Sequence, residues 1–435
     1  MPSTSYRDAV RYLDALGIDA MKSMAPSLHR MEAVADVLAH PERSLPAIHV
    51  TGTNGKTTTA RVVASLLEAT GLSVATFTSP HLQAVNERIN VGGCPLDEEE
   101  FAAAFDAVLP YVKLAESELG ERLTYFEVLT AMFFMQASER AGVAVVEVGL
   151  GGRWDATNIV DAPVSIVTNV AVDHAALLGA DRVTIAREKV GIIKQGAAVV
   201  TAERAPDVLD VIEREADQRG ATVARIDRDF SVTANDVAVG GRLLSVTTSA
   251  GEYSDLYVPL HGPHQGPNVA VALEAVTRFL AKPLDQDLVA EGLAGVEVPG
   301  RLETIRLEDR SVVLDVAHNP DGMAALVRAL AGAFAFERVV AVFGALDDKD
   351  HAGMLSELAR LPVRLILTQP RNDRAVPVAA LARAADAQGL AHEERPDVPS
   401  ALEAALADDD PGALPVVTGS HYVVGEARTH LLQRA

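Results

Sequence analysis

The chain has 435 residues, 38 Lys and Arg against 60 Asp and Glu, a formal net charge of −22 and 49% hydrophobic residues. Such acidity repels phosphate backbones and argues against nucleic acid as a partner, so an anionic ligand needs local basic residues. No apolar run approaches the roughly 20 residues that span a bilayer, and the single cysteine, Cys94, excludes an intrachain disulfide, a cysteine-built zinc site and a thiol pair, in keeping with a reducing compartment.

The length exceeds the roughly 250–300 residues at which one hydrophobic core stops growing, so two domains are expected. The opening "MPSTSYRDAVRYLDALG" mixes charges into a helical pattern and lacks the apolar core of a signal peptide, which predicts an N-terminal helix in a cytoplasmic protein. "DAMKSMAPSLHRMEAVADVL" reads as a loop and a helix. Short β-branched runs then alternate with alanine-rich helical stretches, the pattern of βαβ units and a largely parallel sheet. Strands are expected at 47–50, 143–148, 165–170 and 197–201, and the alternating segments of 222–260 suggest an antiparallel extension. Cys94 falls in "VGGCPLD", a loop in which a solvated thiol is expected. "VEVPGRLE", around Pro299, interrupts the pattern. A second alternation follows, "SVVLDV", "RVVAVFG", "VRLILT" and "LPVVTG", each ahead of a helix-like segment.

The first chemical motif is "HVTGTNGKTTTAR", a strand running into Gly52, Thr53, Asn54, Gly55, Lys56, Thr57 and Thr58 before a helix. Glycines let backbone N–H groups close around phosphate oxygens, the helix N-terminus adds partial positive charge, and Lys56 reaches β- and γ-phosphates. Val50 stands where the usual P-loop has its first glycine, so this is a shorter variant. The fold expected is thus α/β: a P-loop ATPase domain with a mostly parallel sheet over 1–298, and a smaller, Rossmann-like α/β domain over 299–435.

The second motif is "VVEVGLGGRWDATN". Glu147 ends a buried strand at the carboxyl edge, where ligands bind in open parallel sheets, and a carboxylate there suits magnesium; alone, a strand-end Glu is more often a structural hydrogen-bond acceptor. The third is "VDHAALLGADRVTIAREKVGIIK", in which a strand ends just before Asp173 and His174. Lys189 is one of only seven lysines against thirty-one arginines. Ile185, Ala186, Ile192 and Ile193 put it on or near a buried face, where a lysine is costly unless paired or chemically altered.

Together with "TSPHL", "NERI", "TYFEVLTA", "HGPHQGPNVAVA", "PGRLE", "LDVAHNP", "GALDDKD" and "VTGSHYVVGE", these stretches span residues 51 to 426 in one order. The chain resembles the Mur ligase superfamily and, within it, the folylpolyglutamate synthase and dihydrofolate synthase family. The resemblance implies a carbamylated Lys189, an amine converted by CO2 into an anionic oxygen donor for a second magnesium ion; the alternative is a plain ammonium contacting phosphate. It assigns Ser79, Glu147, His174 and Lys189 to two magnesium ions, with a monovalent cation as an optional companion. Asn268 resembles the adenine-contacting position and Arg301 a phosphate contact. Asp315 and His318 look like the second domain's reach toward ribose and phosphate, and Ser420 like a residue placing the incoming glutamate. For the pteridine end, Phe126 would stack on the ring, Asp155 would hydrogen-bond it and Arg88 would hold a carboxylate, although an aromatic in "YFEVLTAMFF" also reads as core.

The activity implied is an ATP-dependent amide-bond ligase: a substrate carboxylate attacks the γ-phosphate, and the glutamate amine attacks the resulting acyl phosphate. Lys56, Lys189 and His318 are the catalytic candidates, and folate or dihydropteroate, L-glutamate and ATP the small-molecule partners, with no membrane and with a monomer expected. One rival is a cell-wall ligase acting on a UDP-linked muropeptide. Those enzymes resemble this chain in two domains but carry an extra N-terminal one, for which the 51 residues before Gly52 are too few. A P-loop kinase or nucleotide switch is the other, and neither needs the lysine or the "AHNP" segment. "GKTT", Trp154 and Val190 depart from the family's usual residues and leave the acceptor acid open.

Overall fold

A computed structural model describes residues 4–17, 27–308 and 310–434. The described residues group into two compact units, 1–234 with 245–256 and 267–296, and 235–244 with 257–266 and 297–435.

The first unit carries an eight-stranded sheet of β1 (Ala47–Thr51), β2 (Val74–Phe77), β3 (Ile89–Val91), β4 (Cys94–Pro95), β5 (Val143–Glu147), β6 (Val164–Val167), β7 (Ala198–Thr201) and β8 (Thr222–Arg225), in the order β4-β3-β2-β5-β1-β6-β7-β8. All neighbours from β2 to β8 are parallel, and only β3 and β4 run antiparallel at the edge. The central strand β1 is buried along its whole length, as the continuous apolar runs of a sheet covered on both faces require. Because the strands around β1 run the same way, Thr51, Glu147 and Val167 all finish at one edge of the sheet.

Two elements differ from the sequence reading. Residues 222–225 do not open an antiparallel extension; they add β8 parallel to β7, with Ala198 opposite Thr222. The helix Pro206–Gln218 between them is a crossover, and a crossover returns the chain in the same direction. The strand expected at 165–170 stops at Val167, since Thr168 and Asn169 turn away to bond the loop after β1. The antiparallel part is the meander β9 (Ser231–Ala238), β10 (Gly241–Thr248) and β11 (Gly251–Val258). Cys94 is exposed, on the short edge strand β4.

The expected N-terminal helix is Tyr6–Leu16, started by Ser5, whose side chain accepts from Asp8 N. Of the loop and helix after it, 18–26 lie outside the described residues, and the helix is His29–Val37. The long helix Tyr125–Arg140 starts in a capping box, Thr124 with Glu127, and Arg30 Nε, on the helix His29–Val37, donates to Glu127 at 3.0 Å. Both partners of that ion pair are buried. Beneath lies a core of Phe77, Phe101, Phe105, Phe133 and Phe134, in which Phe77 stacks on Phe133 at 5.1 Å.

The second unit holds β12 (Glu303–Arg306), β13 (Ser311–Leu314), β14 (Arg338–Phe343), β15 (Val363–Leu367), β16 (His392–Glu394) and β17 (Ala413–Thr418), in the order β12-β13-β17-β14-β15-β16, with β12 alone antiparallel. Its helices Pro320–Ala333 and His421–Leu432 both begin just beyond strand carboxyl ends.

Phe133 is fully buried, so Phe133→Ala is expected to lower the unfolding free energy by about 3–5 kcal/mol. Chemical denaturation measures this, and a loss below about 1 kcal/mol would contradict the packing described.

Candidate active site

The loop after β1 is held closely by its neighbours. Gly52 has φ +153, and a Cβ there would lie 1.8 Å from Thr168 Oγ1; Gly55 has φ +81, and a Cβ there would lie 2.6 Å from Asn268 Oδ1. Glycine is thus required twice, for backbone conformation and for space. Gly55 is the N-cap of the helix Lys56–Ala69, so this helix directs its unpaired N–H groups and positive dipole end at the loop. Thr53 N donates to Asn169 O at 2.8 Å and Asn54 N to Asn169 Oδ1 at 2.8 Å. Thr168 Oγ1 donates to Asn54 O at 2.7 Å, and Thr53 Oγ1 bridges the Ala171 N–H and carbonyl at 3.0 Å each. Lys56 Nζ donates to Thr53 O at 3.2 Å. The loop's shape is therefore built by the chain itself, with Asn268 beside Gly55.

Three oxygen-bearing side chains meet next to it. Glu147, 1% exposed, accepts from Thr57 Oγ1 at 2.9 Å on one oxygen and from Ser79 N at 3.2 Å on the other. Ser79 Oγ is buried without a hydrogen-bond partner among the described residues. Buried hydroxyls normally find partners, and an unpaired one beside a carboxylate and a second hydroxyl is an oxygen donor set of the kind magnesium takes. Among the described residues no three His, Cys, Asp or Glu side chains converge on a metal-sized site, so the fit rests on Thr57, Ser79 and Glu147.

Lys189 is 4% exposed and donates from Nζ to Gly52 O at 2.7 Å. Burial, and next the nearby Lys56, push its pKa down to about 7, against the opposing pull of Asp173, Asp155 and Glu188. Near neutral pH much of it is then an uncharged amine, the form that reacts with CO2. The glycine-rich loop after Glu147 packs on its backbone: Arg153 N donates to Glu188 O at 2.9 Å, and a Cβ on Gly152 would lie 2.6 Å from Lys189 O. His174 sits in the left-handed region at φ 50 as N-cap of the short helix Ala175–Leu178, with Nε2 4.0 Å from Asp173 Oδ2.

At the expected acceptor end, Arg88 is buried, donates from Nε to His81 Nδ1 at 3.0 Å and lies 5.4 Å over the Tyr125 ring. Burial, reinforced by Arg88, drives the His81 pKa down to about 3, so His81 is a neutral acceptor. Phe126 is half-buried, tilted against Phe77 at 5.5 Å, and its ring fills the space a Cβ on Gly149 would need. Asp155 is buried within its own loop, accepting from Leu150 N at 2.9 Å and from the Thr157 N–H at 3.0 Å, and burial raises its pKa.

In the second unit, Asp315 bridges two backbone N–H groups, Leu302 and Ala317, each at 2.9 Å, and its burial raises its pKa. Arg301 Nη2 is 3.2 Å from His421 Nε2, and the His421 ring lies 5.1 Å from that of His318. His318 Nδ1 is 2.9 Å from Val316 O, which fixes the ring's tautomer with the proton on that nitrogen. Ser420 is the N-cap of His421–Leu432, accepting from Val423 N at 3.2 Å. Arg301, Asp315, His318 and Ser420 thus gather near the carboxyl edge of the second sheet.

Family models match on both sides of this division: the Mur ligase middle domain over residues 50–276, and the Mur ligase glutamate ligase domain over 300–421. A Mycobacterium tuberculosis protein named dihydrofolate synthase/folylpolyglutamate synthase is 40% identical over 437 residues, covering 93% of this chain and 90% of that protein. The chain belongs to the folylpolyglutamate synthase and dihydrofolate synthase family of Mur ligases. A Bacillus subtilis member with the same name is 34% identical over 98% of this chain and 99% of its own. Among solved structures, M. tuberculosis folylpolyglutamate synthase complexed with ADP superposes with a TM-score of 0.93 at 39% identity, covering 98% of each chain. The E. coli FolC structure in complex with DHPP and ADP gives 0.87 at 31% identity, again over 98% of each.

Reasoning from sequence missed three residues of this Mur ligase site. Thr168 and Asn169, read as strand, shape the phosphate loop. Asn158 Nδ2 donates to Arg153 O at 3.0 Å and Gly191 O at 3.1 Å, tying the glycine-rich loop to the turn after Lys189. The available signal was a polar pair, Thr-Asn, at the carboxyl end of an otherwise apolar strand.

The depressed Lys189 pKa carries a sign. An unfolded lysine stays protonated up to its model value of 10.5 while the folded one loses its proton near 7, so this residue's contribution to stability rises with pH between those values and is least below 7. In metal-free, bicarbonate-free buffer, the parent's stability relative to Lys189→Met should increase from pH 7 to pH 10. A pH-independent difference in denaturation midpoints would contradict the buried, weakly basic amine.

Proposed function

We propose that this protein is an ATP-dependent ligase that joins L-glutamate to a folate-type carboxylate, by way of an acyl phosphate. The observation that carries it is the phosphate loop with Thr57, Ser79 and Glu147 gathered beside it, in a chain matched by both Mur ligase domains. The division of labour we favour is a nucleotide- and folate-binding domain over 1–298 and a glutamate-binding, cleft-closing domain over 299–435. Dihydropteroate and reduced folates are both acceptors in this reading, as in relatives whose names carry both activities.

Gly52, Thr53 and Asn54 form the loop around the phosphates, Gly55, Thr57 and Thr58 offer them N–H groups at the helix N-terminus, and Lys56, released from the Thr53 carbonyl, meets the β- and γ-phosphates. Asn268 contacts the adenine, and Arg301, Asp315 and His318 contact phosphate and ribose. Thr57, Ser79 and Glu147 would hold magnesium, with His174 and a carbamylated Lys189 supplying donors to a second ion and a monovalent cation as companion. When bound, magnesium neutralises developing phosphate charge and polarises the γ-phosphoryl group. Arg88, kept in place by neutral His81 and Tyr125, holds the acceptor's carboxylate end, and Phe126 and Asp155 the pteridine. A carboxylate is a poor electrophile at neutral pH, so transfer of the γ-phosphoryl group to it provides the leaving group. The glutamate amine, placed with help from Ser420, then attacks the carbonyl, and phosphate departs. Low water access protects the acyl phosphate from hydrolysis. No described helix is long and apolar enough to cross a membrane, and a cytoplasmic monomer is our reading.

The cell-wall alternative is disfavoured by the relatives' names, and a kinase or nucleotide switch by the match to the glutamate ligase domain. The test is ADP formation with tetrahydrofolate or dihydropteroate, with and without L-glutamate. ADP release is expected to require both the acceptor and glutamate, and Lys56→Ala is expected to lower it at least ~100-fold with an unchanged unfolding transition. ADP release independent of glutamate, or full activity in Lys56→Ala, would overturn the reading.

A further inference from the structure

One peptide unit next to the phosphate loop is clamped from both sides. Its carbonyl, that of Asn169, accepts from Thr53 N at 2.8 Å; its N–H, that of Val170, donates to Glu203 Oε2 at 2.8 Å. A trans peptide is planar, so its C=O and N–H point in opposite directions and turn together. Whatever fixes the N–H therefore aims the carbonyl. The Asn169 side chain receives Asn54 N, and Ala171, two residues on, is bridged by the Thr53 hydroxyl. Rotation of this single peptide would thus disturb both Thr53 and Asn54.

Glu203 is well placed to prevent that rotation. It lies two residues past the end of β7, is 8% exposed, and its own N–H donates to Thr201 Oγ1 at 3.0 Å. Its second oxygen accepts from Arg204 N and Ala205 N, each at 2.8 Å, so the carboxyl group cannot swing away without losing both. These local bonds alone would describe a turn-closing residue at the start of the helix Pro206–Gln218. The bond to Val170 reaches 33 residues back along the chain, to the segment that shapes the phosphate loop and leads to Asp173 and His174.

We infer that Glu203 is a positioning residue for nucleotide binding: through the Asn169–Val170 peptide it holds Thr53 and Asn54 in the conformation that receives phosphate. It touches neither substrate nor reacting atoms and acts only through that peptide. Hydrogen bonds in series also polarise one another, so an acceptor on the N–H strengthens the carbonyl as an acceptor for Thr53. This inference rests on the nucleotide reading of the loop given above.

Two variants and two readouts test it. Glu203→Ala removes the acceptor, and Glu203→Gln keeps the side chain's size but offers one acceptor oxygen where the carboxylate offers two, so its NH2 must face either Val170 N–H or the Arg204 and Ala205 N–H groups. In Glu203→Ala, hydrogen exchange at the Thr53 and Asn54 amides is expected to speed up about tenfold and magnesium-ADP affinity to fall about tenfold, the effect of losing roughly one hydrogen bond. Amides of β1 and β5 should keep their rates, and Glu203→Gln, able to accept on one side at a time, should give changes in both readouts that lie between those of the parent and Glu203→Ala. Unchanged Thr53 exchange in Glu203→Ala would overturn the inference, as would equal acceleration at Thr53 and throughout β1 and β5, which marks general destabilisation. A parent protein that fails to bind ADP would instead overturn the nucleotide reading, while the Thr53 exchange rates would still decide the role of Glu203.

Discussion

Between Thr51 and Lys56 the chain approaches its neighbours so closely that two residues have no room for a Cβ. Thr168 closes on Gly52 and Asn268 on Gly55, while the buried amine of Lys189 accompanies the Gly52 carbonyl. Much of the first unit follows from that crowding. β1 must be central for its end to meet the ends of β5 and β6, and Val167 must end its strand so that Thr168 and Asn169 can turn onto the loop. The helix Lys56–Ala69 must begin at Gly55, where its N-terminal N–H groups are left for phosphate. Gly152, in the stretch after Glu147, must likewise lack a side chain to lie against the backbone of Lys189.

Electrostatics follow the same geometry. A chain with net charge −22 binds an anion only where its backbone dipoles and a few cations are concentrated, and Lys56 and Lys189 are neighbours here. Their mutual repulsion, added to burial, depresses the basicity of Lys189, and the buried carboxylate of Glu147 accepts from the Thr57 hydroxyl and the Ser79 N–H. In our proposal one lysine meets phosphate and the other is converted to an anion. In the second unit Asp315, buried on two backbone N–H groups, fixes the turn that carries His318.

Much of this was legible in the amino-acid order, for physical reasons. The phosphate loop could be read because close backbone approach leaves glycine as the residue that fits, and the parallel strands because burial on both faces produces uninterrupted β-branched runs. Lys189 stood out as a rare lysine among isoleucines. What could not be read was set by distant partners. Asn169 is an ordinary strand-end asparagine until Thr53 and Asn54 meet it, and 222–225 look like any short alternating segment until a helix brings them alongside β7. Phe126 illustrates both: its helix is core, yet the ring lies against Gly149, the start of a loop that no periodicity points to.

The account's central claim is chemical: an acceptor carboxylate oxygen attacks the γ-phosphate before glutamate is joined. The most direct measurement uses a folate-type acceptor labelled with 18O in its carboxylate, with ATP, magnesium and L-glutamate, and reads the released phosphate by mass. Acyl phosphate formation predicts one 18O atom in each phosphate released with product. Phosphate free of label, alongside glutamylated product, would contradict the mechanism.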